Sequence, residues 1–183
     1  MHYHHVLRAA VTALALGLTA VTATSAGAAP TGGPSAGVVD LKGAKGLRIE
    51  AKAEGRALVE ADLEAAAATA NVCGSGYTLS TGAARYNNYG TTYTWTNGTT
   101  TGSSYDDRPI CAVFFNDTGV TRYMGIRLQD NYTSTPDTQD FGSYGSYAGP
   151  VYQERGYCGW AYSYMKVGST VVVDNLLHVG QCN

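Results

Sequence analysis

Four cysteines, Cys73, Cys111, Cys158 and Cys182, constrain what this 183-residue chain can fold into more than any other feature. They are its only cysteines, and all lie well downstream of an N-terminal stretch that reads as an export signal. An even cysteine count in an exported chain favours pairing, because oxidising compartments preserve disulfides. No Cys-x-x-Cys pair or Cys/His cluster offers zinc spacing. Four cysteines allow three connectivities, and spacing alone does not choose among them. The preferred pairing is Cys73 with Cys111 and Cys158 with Cys182, since each bridge then closes a local loop. On the chain-entropy model each closure contributes roughly 3–4 kcal/mol, mainly by restricting the unfolded chain.

The compartment is read from the N-terminus. His2, His4, His5 and Arg8 make a weakly basic start, and an apolar run follows from Ala9 to Ala23. Ala26-Gly27-Ala28 then fits a signal-peptidase site, with cleavage before Ala29. The apolar run is shorter than the roughly 20 residues that span a bilayer, and no later segment approaches that length. Residues 1–28 therefore read as a signal peptide. The expected product is secreted and extracellular, with no membrane span after cleavage.

The chain changes character near Asn71. Residues 29–70 contain neither cysteine nor tyrosine and read as a pro-segment or a flexible or helical leader. Pro30-Thr31-Gly32-Gly33-Pro34-Ser35 has linker composition. Val59, Leu63, Ala66 and Ala70 recur at helical spacing, so residues 57–70 predict one short amphipathic helix. Glu60, Asp62 and Glu64 lie toward its N-terminal end, where the helix dipole favours them. Its role is open among a removed pro-segment, a spacer and a helix that caps the following domain. A helix of this length is marginal in water by itself.

Residues 71–183 carry the signals of an all-β, disulfide-stabilised antiparallel sandwich or small barrel. Thr91 to Thr96 alternates, with Tyr93 and Trp95 on one face and threonines on the other, before the hairpin signal Asn97-Gly98. Ile110 to Phe115 is a short apolar run. Thr121 to Leu128 alternates with Met124, Ile126 and Leu128 toward the core and Tyr123 and Arg127 away from it. Cys158 to Tyr164 and Thr170 to Val173 predict a hairpin around Val167-Gly168-Ser169, and Leu176 to Val179 a last strand. Asn131 to Ala148 is polar and reads as the longest loop, and no helix is predicted after residue 71.

The chemistry of this segment is sparse. It has one histidine, His178, and one lysine, Lys166. No metal ligand set, cofactor motif or nucleophile elbow is present. Asp106/Asp107 and Asp137/Asp140 match no calcium-loop spacing. Acidic pairs such as Asp106/Asp107 or Asp130/Asp140 would serve glycoside hydrolysis only if folding set them about 5–10 Å apart. Residues 71–183 carry six basic side chains against eight acidic ones, the wrong balance for a nucleic-acid partner. The triplets beginning at Asn97, Asn116 and Asn131 match the glycosylation pattern, but the alanine-rich signal looks bacterial, so they read as turns.

Tyrosine is in excess: thirteen of the chain's fourteen tyrosines fall in this segment. Tyr93, Trp95, Trp160, Tyr162 and Tyr164 occupy alternate strand positions, with Tyr144 and Tyr147 in the segment before them. These seven form the candidate binding surface, because a flat apolar ring with a hydrogen-bonding edge suits sugar rings or another protein. The opposing reading places the rings in a core short of Leu and Ile. Cys158 shares parity with Trp160, Tyr162 and Tyr164, which predicts an inward face for these three.

The cysteine-linked motifs resemble those of the spore-associated protein A family of filamentous actinobacteria. The likeness rests on Asn71-Val72-Cys73-Gly74-Ser75-Gly76-Tyr77, Gly90-Thr91-Thr92-Tyr93, Cys111-Ala112-Val113, the run from Gly142 to Val151, Cys158-Gly159-Trp160 and Cys182. It covers residues 71–183. The chain departs from the family in its longer 30–70 extension and in Asn183 after the last cysteine. The resemblance implies a small exported protein of the spore or hyphal surface and brings no catalytic mechanism. It implies disulfide roles for the four cysteines and turn roles for Gly74, Gly76, Gly149 and Pro150. The expected function is a non-enzymatic surface protein that binds the envelope or a partner, glycan or protein. A carbohydrate-binding module with Tyr and Trp platforms and a secreted proteinase inhibitor are the alternatives.

Overall fold

In a computed structural model the described residues are 38–182. The signal peptide and the linker at 30–35 lie outside them. The described chain runs β1 (Val39–Asp40), β2 (Arg48–Ile49), α1 (Ala53–Ala61), α2 (Leu63–Cys73), β3 (Leu79–Tyr86), β4 (Gly90–Thr96) and β5 (Ile110–Asn116). It continues with β6 (Arg122–Leu128), β7 (Thr138–Tyr144), β8 (Tyr147–Gln153), β9 (Trp160–Val167) and β10 (Thr170–His178). Two sheets result, one of six strands ordered β1-β2-β3-β4-β5-β8 and one of four ordered β10-β9-β6-β7. The fold is a β-sandwich with an N-terminal extension.

Strand β5 shows how the layers are built. Its residues Ile110, Ala112 and Phe114 join Met124, Ile126, Leu128, Ala161 and Met165 in the core between the sheets. Its intervening residues Cys111 and Val113 join Val59, Ala66 and Ala70 in a second core beneath the helices. A strand buried on both faces reads as a continuous apolar run, and β5 does. The inward set Met124, Ile126 and Leu128 is fully buried, as the alternation in β6 predicts. Strand β4 is also covered on both sides. Tyr93 and Trp95 face the helices, and Thr92, Thr94 and Thr96 face the other sheet. Those threonine hydroxyls are satisfied inside, Thr92 sharing a hydrogen bond with Ser163 and Thr94 accepting from Thr81.

The extension does not behave as a flexible leader. Strand β2 pairs parallel to β3, and Leu41, Ile49, Ala51, Val59 and Ala66 are buried against Tyr93 and Trp95. Residues 38–73 thus pack over one face of the six-stranded sheet. The single helix expected over 57–70 is two helices, α1 and α2, and the second runs past residue 71. Asp62 divides them: its backbone leaves the helical region, and its side chain accepts a hydrogen bond from Ala65 N at 3.0 Å. An N-cap aspartate competes with helix continuation, which the apolar periodicity alone could not reveal. Gly74 ends α2 in the left-handed region at φ 101°, its N–H reaching the carbonyls of Ala70 and Asn71.

Both disulfides follow the local pairing. Cys73–Cys111 ties the end of α2 to β5, and Cys158–Cys182 ties the C-terminal tail to the loop before β9.

Other expectations change. Asn97-Gly98 opens a long connection to β5 rather than a tight hairpin, although Asn97 does accept from Thr99 N in a side-chain turn. The tight hairpin joins β3 to β4 instead, with Asn87 at φ 52°. The polar stretch from Asn131 to Ala148 contains β7 and the start of β8. Strand β7 is an edge strand, so its ladder to β6 holds it while much of its surface stays wet. Leu176 to His178 continues β10 instead of forming a separate strand.

Candidate functional site

The seven aromatic candidates do not form one surface. Tyr93 and Trp95 are 1% and 0% exposed, so both are core residues and leave the binding set. Burial lifts the Tyr93 phenol up to about 12. Tyr147 packs with Phe115 on the helix side of the first sheet. Tyr144 packs against the core between the sheets and donates to Asp140. Trp160, Tyr162 and Tyr164 remain together, on the outer face of the four-stranded sheet.

The parity argument from Cys158 placed that face inward, and the structure reverses it. Ala161, Ser163 and Met165 are fully buried, while Trp160 is 42% exposed. Cys158 lies in the turn before β9, where strand alternation does not apply.

Pairing with β6 and β7 completes the face. Tyr164 lies opposite Gly125, which in turn lies opposite Phe141. The Phe141, Tyr162 and Tyr164 ring centroids are 6.3–6.5 Å apart with interplanar angles of 31–50°. Tyr123 meets Tyr164 edge-on at 6.5 Å, and Trp160 meets His178 edge-on at 4.7 Å. Leu176, paired with Tyr162 and 55% exposed, extends the apolar surface toward β10. Tyr123 and Phe141 are absent from the sequence-based set. The outward parity of Tyr123 was legible, but Phe141 was hidden in a segment read as loop.

Gly125 makes this packing possible. A methyl group on Gly125 would overlap the Phe141 ring. Gly125→Ala is expected to displace Phe141 at a cost of about 1–3 kcal/mol. Chemical denaturation should show this loss, and a Phe141→Ala background should remove most of it. An equal loss in both backgrounds would refute the packing account.

Charges on the face are paired locally. The Arg127 guanidinium lies 4.9 Å from the Tyr162 ring centroid and its Nε is 3.5 Å from Asp137. Lys166 Nζ lies 5.7 Å from the Tyr164 centroid. Tyr162 donates to Asp174 at 2.8 Å. Burial and then this bond push the Tyr162 phenol up to about 12. Beside Trp160 the face ends in a cleft of about 350 Å³, lined by Gln129, Asp130, Asn131, Tyr132, Thr133 and Asp137.

The groups weighed for catalysis or metal binding are engaged in the fold. His178 Nδ1 bonds to Gly180 O at 3.0 Å. Asp107 accepts from Ser104 N and the Tyr132 hydroxyl, and the backbone bond is the first reason its carboxyl lies below the usual range. Asp130 accepts from the N–H groups of Tyr132 and Arg155. Asp140 accepts from Tyr144 and Gly149 N. Among the described residues one acidic-sulfur group, Asp106 with Cys158 and Cys182, lies close enough to hold an ion, but its sulfurs form a disulfide rather than thiolates.

Sequence reasoning also missed a buried charged cluster. Glu50, from the extension, meets Arg108 through two hydrogen bonds of 3.0 and 3.2 Å. Tyr157 and Tyr105 donate to the same carboxylate at 2.6 and 3.0 Å. The guanidinium lies between their rings, 3.5 Å from the Tyr157 centroid and 4.2 Å from that of Tyr105. No local motif announces a pair separated by 58 residues. Its enclosure marks it as structural cross-linking of the extension to the sandwich.

Comparison of the chain with family models, curated proteins and solved structures finds no match in any of the three.

Proposed function

We propose that this chain is an exported, non-catalytic binding protein of the spore or cell surface. It engages the envelope or a neighbouring molecule through the outer face of the four-stranded sheet. The observation that carries the reading is the aromatic cluster of Phe141, Tyr162 and Tyr164, with the exposed Trp160 on the same strand face, on a side of the sheet that no described element covers. Monomeric proteins rarely leave aromatic groups clustered in water without a partner. Export rests on the N-terminal sequence pattern, and surface association on the family resemblance. The non-catalytic reading is supported by the hydrogen bonds that tie His178, Asp130 and Asp140 to nearby backbone.

Fractionation of a sporulating culture tests this. The wild-type protein should be recovered with spores or hyphal walls, and a Trp160→Ala/Tyr162→Ala variant should move to the medium. Wild-type protein found wholly in the medium would overturn the proposal.

A further inference from the structure

We infer that two copies of this chain pair edge to edge through β10, joining their smaller sheets into one continuous antiparallel sheet. The inference does not rest on what occupies the outer face of that sheet.

The ends of the two sheets are unequally protected. An exposed edge strand offers unpaired N–H and C=O groups to any other strand, and folded chains usually blunt such edges. At one end of the six-stranded sheet, β1 is only two residues long. At its other end β8 carries Pro150, which has no N–H to offer. The edge strands β7 and β8 also cover each other. Gly149 N donates to Asp140 and the Thr138 hydroxyl donates to Tyr152 O, both at 2.7 Å. Strand β10 has none of these devices. It is nine residues long, holds no Lys, Arg or Pro, and pairs with β9 alone. Its one register irregularity lies between Val171 and Val173, so Asp174 to His178 is regular.

The ladder fixes which backbone groups are left over. Val179 N donates to Gly159 O, so the alternate residues Leu177 and Asn175 also turn their peptide groups toward β9. Asp174, Leu176 and His178 turn theirs to the free side. The same three residues share the outer face, opposite Tyr164, Tyr162 and Trp160.

Side chains choose the occupant. Met head-on in an antiparallel pair, the pattern Asp174-x-Leu176-x-His178 complements itself. A two-fold axis at Leu176 sets that residue against Leu176 of the second copy. It also sets Asp174 against the second copy's His178, and the reverse, an acid opposite a base each time. An axis at Asp174 would oppose two carboxylates instead, which is unfavourable. Leu176, exposed in the single chain, is then covered by its counterpart. A cleft of about 350 Å³ beside Leu177 and His178 keeps the C-terminal end of the edge open to an entering strand. Both outer faces lie on one side of the joined sheet, so the aromatic clusters of the two copies form one surface.

An edge pairing buries less than a standard interface, so the dimer is weak and concentration-dependent. Sedimentation of the mature full-length protein from about 1 to 500 µM should show the mass rising from monomer toward dimer. Leu176→Lys opposes two ammonium groups at the axis and should weaken dimerisation roughly tenfold or more. Val120→Lys, in an exposed turn away from β10, should leave it within about twofold. Asp174→Lys and His178→Asp should each dimerise roughly tenfold less by themselves. Mixed together, the two variants should form a heterodimer near wild-type strength, because every cross-strand pair again joins an acid to a base. That recovery also shows that both variants fold.

Wild-type protein that stays monomeric to about 500 µM overturns the inference, whatever other strand then pairs with β10. Dimerisation unmoved by Leu176→Lys overturns it too, because the interface then lies elsewhere. Folded variants that fail to recover in the mixture refute the axis at Leu176 and with it the self-complementary pairing.

Discussion

Glu50→Ala is expected to lower unfolding stability by about 3–5 kcal/mol, because it strands a buried guanidinium. Glu50 and Arg108 are 6% and 3% exposed, so water cannot replace the lost partner. Urea denaturation at neutral pH measures the loss. The double variant Glu50→Leu/Arg108→Met should recover much of it, since removing both charges removes the desolvation penalty too. A single variant as stable as wild type would refute the cluster's role. The pair also predicts a pH dependence. Burial raises the Glu50 carboxyl, but the bonds from Arg108, Tyr157 and Tyr105 outweigh it and hold it below the ordinary value. The unfolded chain therefore binds this proton more readily than the folded one. The contribution is complete well above the unfolded value of about 4.3 and is lost as pH falls through the lower folded value. Glu50→Gln should flatten that acid limb.

Cys73→Ala/Cys111→Ala should be the second large effect, a loss of about 4 kcal/mol by the loop-entropy relation. The bridge spans 38 residues and joins α2 to β5, the strand beside the β8 edge of the six-stranded sheet. Its loss should be felt first in the helical layer, seen as faster amide exchange in α1 and α2 than in β6 and β9. The Cys158–Cys182 bridge spans 24 residues, so its removal should cost slightly less, about 3.5 kcal/mol. Unchanged denaturation midpoints in both variants would show that the sandwich does not depend on its bridges.

Much of the fold was legible because strand alternation is a local signal. Met124, Ile126 and Leu128 announce a half-buried strand, and their partners in β9 need not be known for that. The local disulfide pairing was likewise open to a simple argument from loop length. The site was harder to read. Tyr93 and Trp160 are both aromatic residues at alternating strand positions, yet one is buried beneath helices and the other faces water. Alternation says that two faces differ and leaves open which layers cover them. The extension decides this for Tyr93 and Trp95, by laying Val59, Ala66 and Ala70 over them. No described element covers the corresponding face at Trp160, Tyr162 and Tyr164.

The sequence by itself determined an all-β class, a two-bridge framework and a chain poor in catalytic and metal-binding groups. Tertiary structure alone decided that residues 38–73 belong to the sandwich and that Glu50 and Arg108 meet. It also decided that Phe141 joins Tyr162 and Tyr164 over Gly125. These contacts join residues distant in sequence, and burial of a face depends on what packs against it. A residue's immediate neighbours along the chain carry no record of either.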